Sequence, residues 1–176
     1  ANRVALSDVV VRVLDSSGNL VTGGSRQVSA YVSGITLSGT SNVFSSNGLA
    51  SFSGLVLSGQ VGTYDLSLSA TGLVGATVSV TVTHGAAHNI IMSSPETAKN
   101  HISLGTNAVV VRIFDADGNL VTSGAQSNQT VQLSSQGAVS SGTTAVSASG
   151  GIATFSNVVL TGLVGTKTLS ATIQLP

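Results

Sequence analysis

The sequence predicts an all-β protein of two tandem β-sandwiches, and three observations lead there. Short Val-, Thr- and Ser-rich segments alternate apolar and polar residues. Gly-containing dipeptides punctuate them, and the second half of the chain repeats the first. A period of two is the signature of a strand with one face in the core and one in water. Several such strands separated by turn signals every ~8–12 residues indicate a sandwich.

The strands follow in order. Val9, Val11 and Val13 alternate with Val10, Arg12 and Leu14. Arg12 and its counterpart Arg112 are expected to point outward, which turns the odd-numbered valines to the core. Val28, Ala30 and Val32 form the next inward set, matched by Val131, Leu133 and Ser135. Leu66, Leu68 and Ala70 form another, matched by Leu169, Ala171 and Ile173. Val78, Val80 and Val82 alternate with Ser79, Thr81 and Thr83. Phe52 and Phe155 are the large residues of matching strands and are expected at equivalent core positions. No stretch has a helical period.

Turn chemistry agrees. Asn47-Gly48 and Gly150-Gly151 stand at the same place between two strands. Both pairs can adopt the two positive φ angles of a type I′ hairpin. Gly18-Asn19 and Gly118-Asn119 each follow an Asp, Asp15 or Asp115, whose carboxylate can cap the reversal.

VVVRVLDSSGNLVT at 9–22 returns as VVVRIFDADGNLVT at 109–122, and GLASFSGLVLSGQVGT from Gly48 returns as GIATFSNVVLTGLVGT from Gly151. The offset grows by three between these matches, because AQSNQ and Thr130 precede Val131 where the shorter SRQ precedes Val28. An insertion in a polar loop is what a repeated fold tolerates. The expected domains are residues 1–84 and 85–176. The second opens with AHNIIMSS, which has no counterpart in the first. The first closes with ATVSVTVT, residues 76–83, which has no counterpart in the second. Each unit is thus expected to lack one edge strand. Completion is expected head-to-tail, by flanking repeats in a longer chain or by an end segment such as Asn2–Ser7 or Ser170–Leu175 entering a neighbour.

Composition narrows the function. Of 176 residues, 41% are hydrophobic, 7% charged and 3% aromatic, and the net charge is zero. Disorder needs low hydrophobicity and high net charge, so a folded chain is expected. The six basic residues are scattered, which argues against nucleic acid, since phosphate neutralisation needs clustered Lys and Arg. No apolar run approaches the ~20 residues of a membrane helix, so membrane insertion is not expected. Cysteine is absent, which removes disulfides and thiol chemistry. Met92 is the only methionine, and the expectation is a processed protein or a piece of a longer one.

Chemistry-bearing residues are few. His84 and His88 flank the unit boundary, but with no Cys and no helix to align them they read as linker histidines. Asp115-Ala-Asp117-Gly118-Asn119 resembles the start of a calcium loop, yet Leu120, Val121 and Thr122 follow where the closing carboxylate should stand. No nucleophile elbow, phosphate loop or dinucleotide fingerprint occurs, and Glu96 is the sole Glu. Catalytic, cofactor and metal residues are therefore assigned to none, and an enzyme is not expected. The first unit has no Lys, so a Lys–Asn isopeptide link is open only to Lys99 or Lys167 of the second. Asn128-Gln129-Thr130 is a glycosylation sequon.

The quoted repeats, with NGLASFSGLVLSGQVGTYDLSLSATGL and SGTTAVSASGGIATFSNVVLTGLVGT, resemble the bacterial Ig-like repeats of large surface proteins: invasin- and intimin-type adhesins, giant repeat adhesins and S-layer-associated proteins. The shared features are a strand ending in Asp, a Gly-Asn turn, a Gly-X-Ala-X-Phe strand and a Gly-Thr-Tyr strand start. The chain departs from that pattern in its low charge and in having Lys167 where the first unit has Tyr64. The resemblance implies immunoglobulin-like sandwiches strung into an extracellular stalk, fibre or surface layer, with copies or flanking repeats as partners. The runner-up is an adhesin module that binds a surface glycan or a host protein. Sugar sites stack rings on aromatic residues, and the absence of Trp with only Tyr31 and Tyr64 favours the structural reading. A phage or virion decoration domain is a third option.

Overall fold

A computed structural model describes residues 1–174 and places 16 antiparallel strands there, with no α-helix. The chain divides into two compact units, Ala1–Gly85 and Ala86–Pro176.

The first unit contains β1 (Val9–Arg12), β2 (Gln27–Val32), β3 (Thr36–Ser38), β4 (Asn42–Phe44), β5 (Leu49–Phe52), β6 (Val56–Ser58), β7 (Gly62–Ser69) and β8 (Ala76–Val82). They pair in the orders β1-β5, β3-β6 and β4-β2-β7-β8. The inward residues of these sheets share one core, with Val28, Ala50, Phe52, Leu57 and Leu66 at its centre.

The second unit contains β9 (Ala87–Ser93), β10 (Val109–Asp115), β11 (Thr130–Gln136), β12 (Val139–Ser141), β13 (Ala145–Ser147), β14 (Ile152–Phe155), β15 (Val159–Thr161) and β16 (Thr168–Ile173). Their orders are β14-β10-β9, β12-β15 and β13-β11-β16. Val109, Val111, Ile113, Val131, Leu133 and Phe155 fill the core.

The repeat extends to strand register. Val9 lies opposite Phe52 as Val109 lies opposite Phe155. Ala30 faces Leu68 as Leu133 faces Ala171, and Leu37 faces Leu57 as Ser140 faces Leu160. Phe52 and Phe155 are both buried at equivalent points, as their positions in the sequence predict. β1 to β7 thus correspond to β10 to β16. Among the described residues, β8 has no counterpart in the second unit and β9 none in the first.

Local chemistry explains the reversals. Asn47 and Gly48 have φ of 49° and 75°, Gly150 and Gly151 56° and 78°. Ser46 and Leu49 exchange two backbone bonds around the first pair, at 2.8 and 3.0 Å. Both turns therefore have the two positive φ angles expected of them.

Three details go beyond the alternating pattern. Val78 lies opposite the buried Leu66 yet is 46% exposed, because β8 is the edge of its sheet and only Val80 and Val82 near its end reach the core. Leu169, Ala171 and Ile173 are only half-buried, whereas Leu66 and Leu68 are buried, because no strand lies outside β16 among the described residues. The polar insertion between β10 and β11 is ordered. Ala125–Asn128 form a single 3₁₀ turn in which Ser127 is buried. The Ser127 carbonyl accepts the Gly151 N–H at 2.8 Å, and Gln126 Oε1 accepts the Ala87 N–H of β9 at 2.8 Å.

Candidate functional site

The features that could engage a partner are strand edges, and comparing the two units locates them. β10 is paired on both sides, by β14 and β9. Its counterpart β1 is paired only by β5 among the described residues. Val109 and Val111 are fully buried, while Val9 and Val11 are half-buried. Likewise β7 lies between β2 and β8, while among the described residues β16 pairs with β11 alone. An open edge presents backbone N–H and C=O groups that a further strand can pair.

The open β16 edge adjoins a cleft of about 620 Å³, whose walls include Asn100, Leu104, Leu160, Val164, Lys167 and Leu169. The first unit holds Asn2 at the point corresponding to Asn100. There Asn2 Nδ2 donates to the Gly59 carbonyl at 2.9 Å, and the Gly59 N–H donates to Asn2 Oδ1 at 3.1 Å. The Asn2 N–H also donates to the Thr83 carbonyl, just beyond β8, at 2.8 Å. Asn100 repeats part of this: its Oδ1 accepts the Gly162 N–H at 3.0 Å, Gly162 being the counterpart of Gly59. Arg3 and His101, the next residues, share φ of 59° and donate to the equivalent Leu57 and Leu160 carbonyls. Yet Asn2 is buried and Asn100 exposed. Beside the cleft Val164 is 99% exposed, against 49% for its counterpart Val61.

The end segments named as strand donors are engaged within their own units. Arg3 and Leu6 bond to Leu57 and Leu55, and Ala5 bridges Val56. Ser170–Ile173 pair with β11, and Leu175 lies outside the described residues.

The Asp clusters are turn caps. Asp115 is buried, and its Oδ1 accepts the N–H groups of Asp117 and Asn119 at 2.9 Å each. The Asn119 side chain reaches Oδ2 at 3.0 Å. Asp15 repeats the pattern at the surface with Ser17 and Asn19. Its carboxyl is held below the usual carboxylate value, chiefly by the Asn19 N–H and then by the Asn19 side chain. No group of three His, Asp or Glu side chains gathers among the described residues. The His84 ring meets the Gly85 carbonyl at 2.9 Å, while His88 and His101 are exposed. Asn128 of the sequon is exposed.

Tyr64 and Lys167 do equivalent work. The Tyr64 ring lies over Gly34 and the Lys167 stem over the matching Gly137. Phe44, overlooked in the sequence, stands 67% exposed on the same outer sheet face as Tyr31. Ser147 and Ser134 replace them in the second unit. The missing signal was strand parity, which turns Phe44 outward with Asn42 while Val43 faces in.

No helix among the described residues is long and apolar enough to cross a membrane. The chain matches no family model, no curated protein and no solved structure.

Proposed function

We propose that each unit is an immunoglobulin-like β-sandwich and that the pair is a structural repeat of an extracellular filament, stalk or surface layer, joined head-to-tail to further copies. The observation that supports this most directly is the complementary pair of open edges. Among the described residues, the first unit has β8 but no strand outside β1, and the second has β9 but no strand outside β16. A repeat completed by its neighbours makes a non-closing contact, which propagates as a fibre. Ladders of backbone bonds suit load, and the low charge and the Ser- and Thr-rich outer faces suit an extracellular surface. The resemblance to bacterial Ig-like surface repeats points the same way.

Single-molecule pulling on the chain between two handles tests the mechanical part. Two separate unfolding steps of about 30 nm each are expected, from ~3.6 Å per extended residue. Extension without force peaks overturns a load-bearing role. Antibody labelling of intact source cells tests the location, and exclusively internal labelling overturns it.

The exposed Tyr31 and Phe44 favour a second reading, a glycan-binding face on the first unit. Binding on a glycan array that is lost in Tyr31→Ala/Phe44→Ala would replace the purely structural reading.

A further inference from the structure

We propose that the outer edge of β16, together with its adjoining cleft, is an acceptor site for one antiparallel strand of the Ala76–Val82 type, supplied by a further repeat. This rests on the repeat reading above and names the site through which repeats join.

The first unit identifies the occupant. β7 and β16 are counterparts, and β7 pairs with β8 from Gly62↔Val82 to Leu68↔Ala76. Carried across the repeat, that register sets the incoming strand against Gly165 through Ala171. A residue like Ser79 then lies opposite Thr168, and one like Val82 opposite Gly165. Val82 is buried in the core of the first unit. The cleft beside Gly165 offers its counterpart an apolar floor of Leu104, Leu160 and Leu169.

Three further features fit a strand rather than a compact ligand. Leu169 and Ala171 are half-buried where their counterparts are buried, so they gain cover when a strand arrives. Asn100, held through its Oδ1 by Gly162, occupies the place from which Asn2 donates its N–H to the Thr83 carbonyl. The exposed Val164 forms an apolar lip. Backbone pairing supplies the attachment, and inward side chains at alternate positions supply the selectivity.

The β1 edge is the weaker acceptor. In the second unit β9 is fixed partly by Gln126 in the AQSN turn, and the first unit lacks that insertion.

The test uses the full chain and a fluorescent synthetic peptide of residues 76–83, with two lysines added at its amino end for solubility. Saturable binding of one peptide per chain is expected, weakened at least tenfold by Val82→Asp in the peptide. The chain has no cysteine, so register can be read by disulfide trapping. Thr168→Cys, at an exposed position, is expected to trap the Ser79→Cys peptide at least tenfold faster than the Thr77→Cys peptide. Thr77→Cys presents the same face two residues out of register. An unchanged melting temperature of the Thr168→Cys chain shows that it folds. No binding, equal trapping of both peptides, or preferential Thr168→Cys disulfides between two chains overturns the proposal. If the peptide fails while pulling still gives two steps, the acceptor site falls and the repeat reading stands.

Discussion

Asn2 and Gly59 hold each other by a reciprocal pair of hydrogen bonds, from Asn2 Nδ2 to the Gly59 carbonyl at 2.9 Å and from the Gly59 N–H to Asn2 Oδ1 at 3.1 Å. Asn2 is only 2% exposed, so its amide has exchanged water entirely for protein partners. Truncating it leaves buried polar groups unpaired, which costs about 1–3 kcal/mol. Asn2→Ala is therefore expected to destabilise the first unit by about 2 kcal/mol in urea unfolding. The exposed Asn100→Ala should cost less than about 1 kcal/mol, since water replaces its partner. Equal losses would contradict the difference in burial.

Phe52 and Phe155 sit opposite Val9 and Val109 at the centres of the two cores. Either Phe→Ala change leaves a cavity that rigid strands cannot collapse, at a cost of roughly 3–5 kcal/mol. Each should unfold its own unit first, visible as a split denaturant transition. A loss below about 1 kcal/mol would be inconsistent with the burial.

Asp115 caps its turn with buried acceptors, whereas Asp15 caps the matching turn in water. Asp115→Ala strands several N–H groups and should cost about 2–3 kcal/mol. Asp15→Ala should be much milder. Because the Asp15 carboxyl is lowered by the Asn19 bonds, its stabilising effect is complete above the ordinary carboxylate value of about 3.9. It fades as pH falls through the lower folded value. A carbon-detected NMR titration should therefore place the Asp15 midpoint below that of a model peptide, and a midpoint at or above it would remove the contribution.

The same bonds bear on metal. Asp115 Oδ1 already receives two backbone N–H groups, leaving little room for a cation. Melting temperature with excess chelator is expected to match that with millimolar calcium, and a drop of several degrees in chelator would revive a calcium site.

Amide exchange reads the open edge. The β7 amides bonded to β8 should exchange slowly, because opening them requires breaking the ladder. Outward amides of β16 should exchange orders of magnitude faster, and should slow when the 76–83 peptide is added. Equal protection in β7 and β16 without peptide would mean that the β16 edge is covered.

Much of this fold was legible locally. Strand parity is a property of each segment, so Val28, Ala30, Leu66 and Phe52 could be placed in the core from their neighbours alone. The paired positive φ angles at Asn47-Gly48 followed from residue type. Asp15 and Asp115 could be read as caps because their partners lie within four residues. Val78 could not be placed, since its exposure depends on how far the core extends beneath the edge of the sheet. The ordered AQSN turn was hidden as well, because its anchor, the Ala87 N–H, is thirty-nine residues away.

The sequence by itself determined the all-β class, the turns, the internal repeat and the presence of one unmatched strand in each unit. These depend on short-range sterics and on alternation along the chain. Only the tertiary structure decided which edges stand open among the described residues, that residues 2–6 are engaged within their own unit, and that a cleft lies beside β16. Strand pairing joins residues far apart in sequence, and a backbone edge has the same chemistry whether paired or free. Its state is set by which strands meet in space.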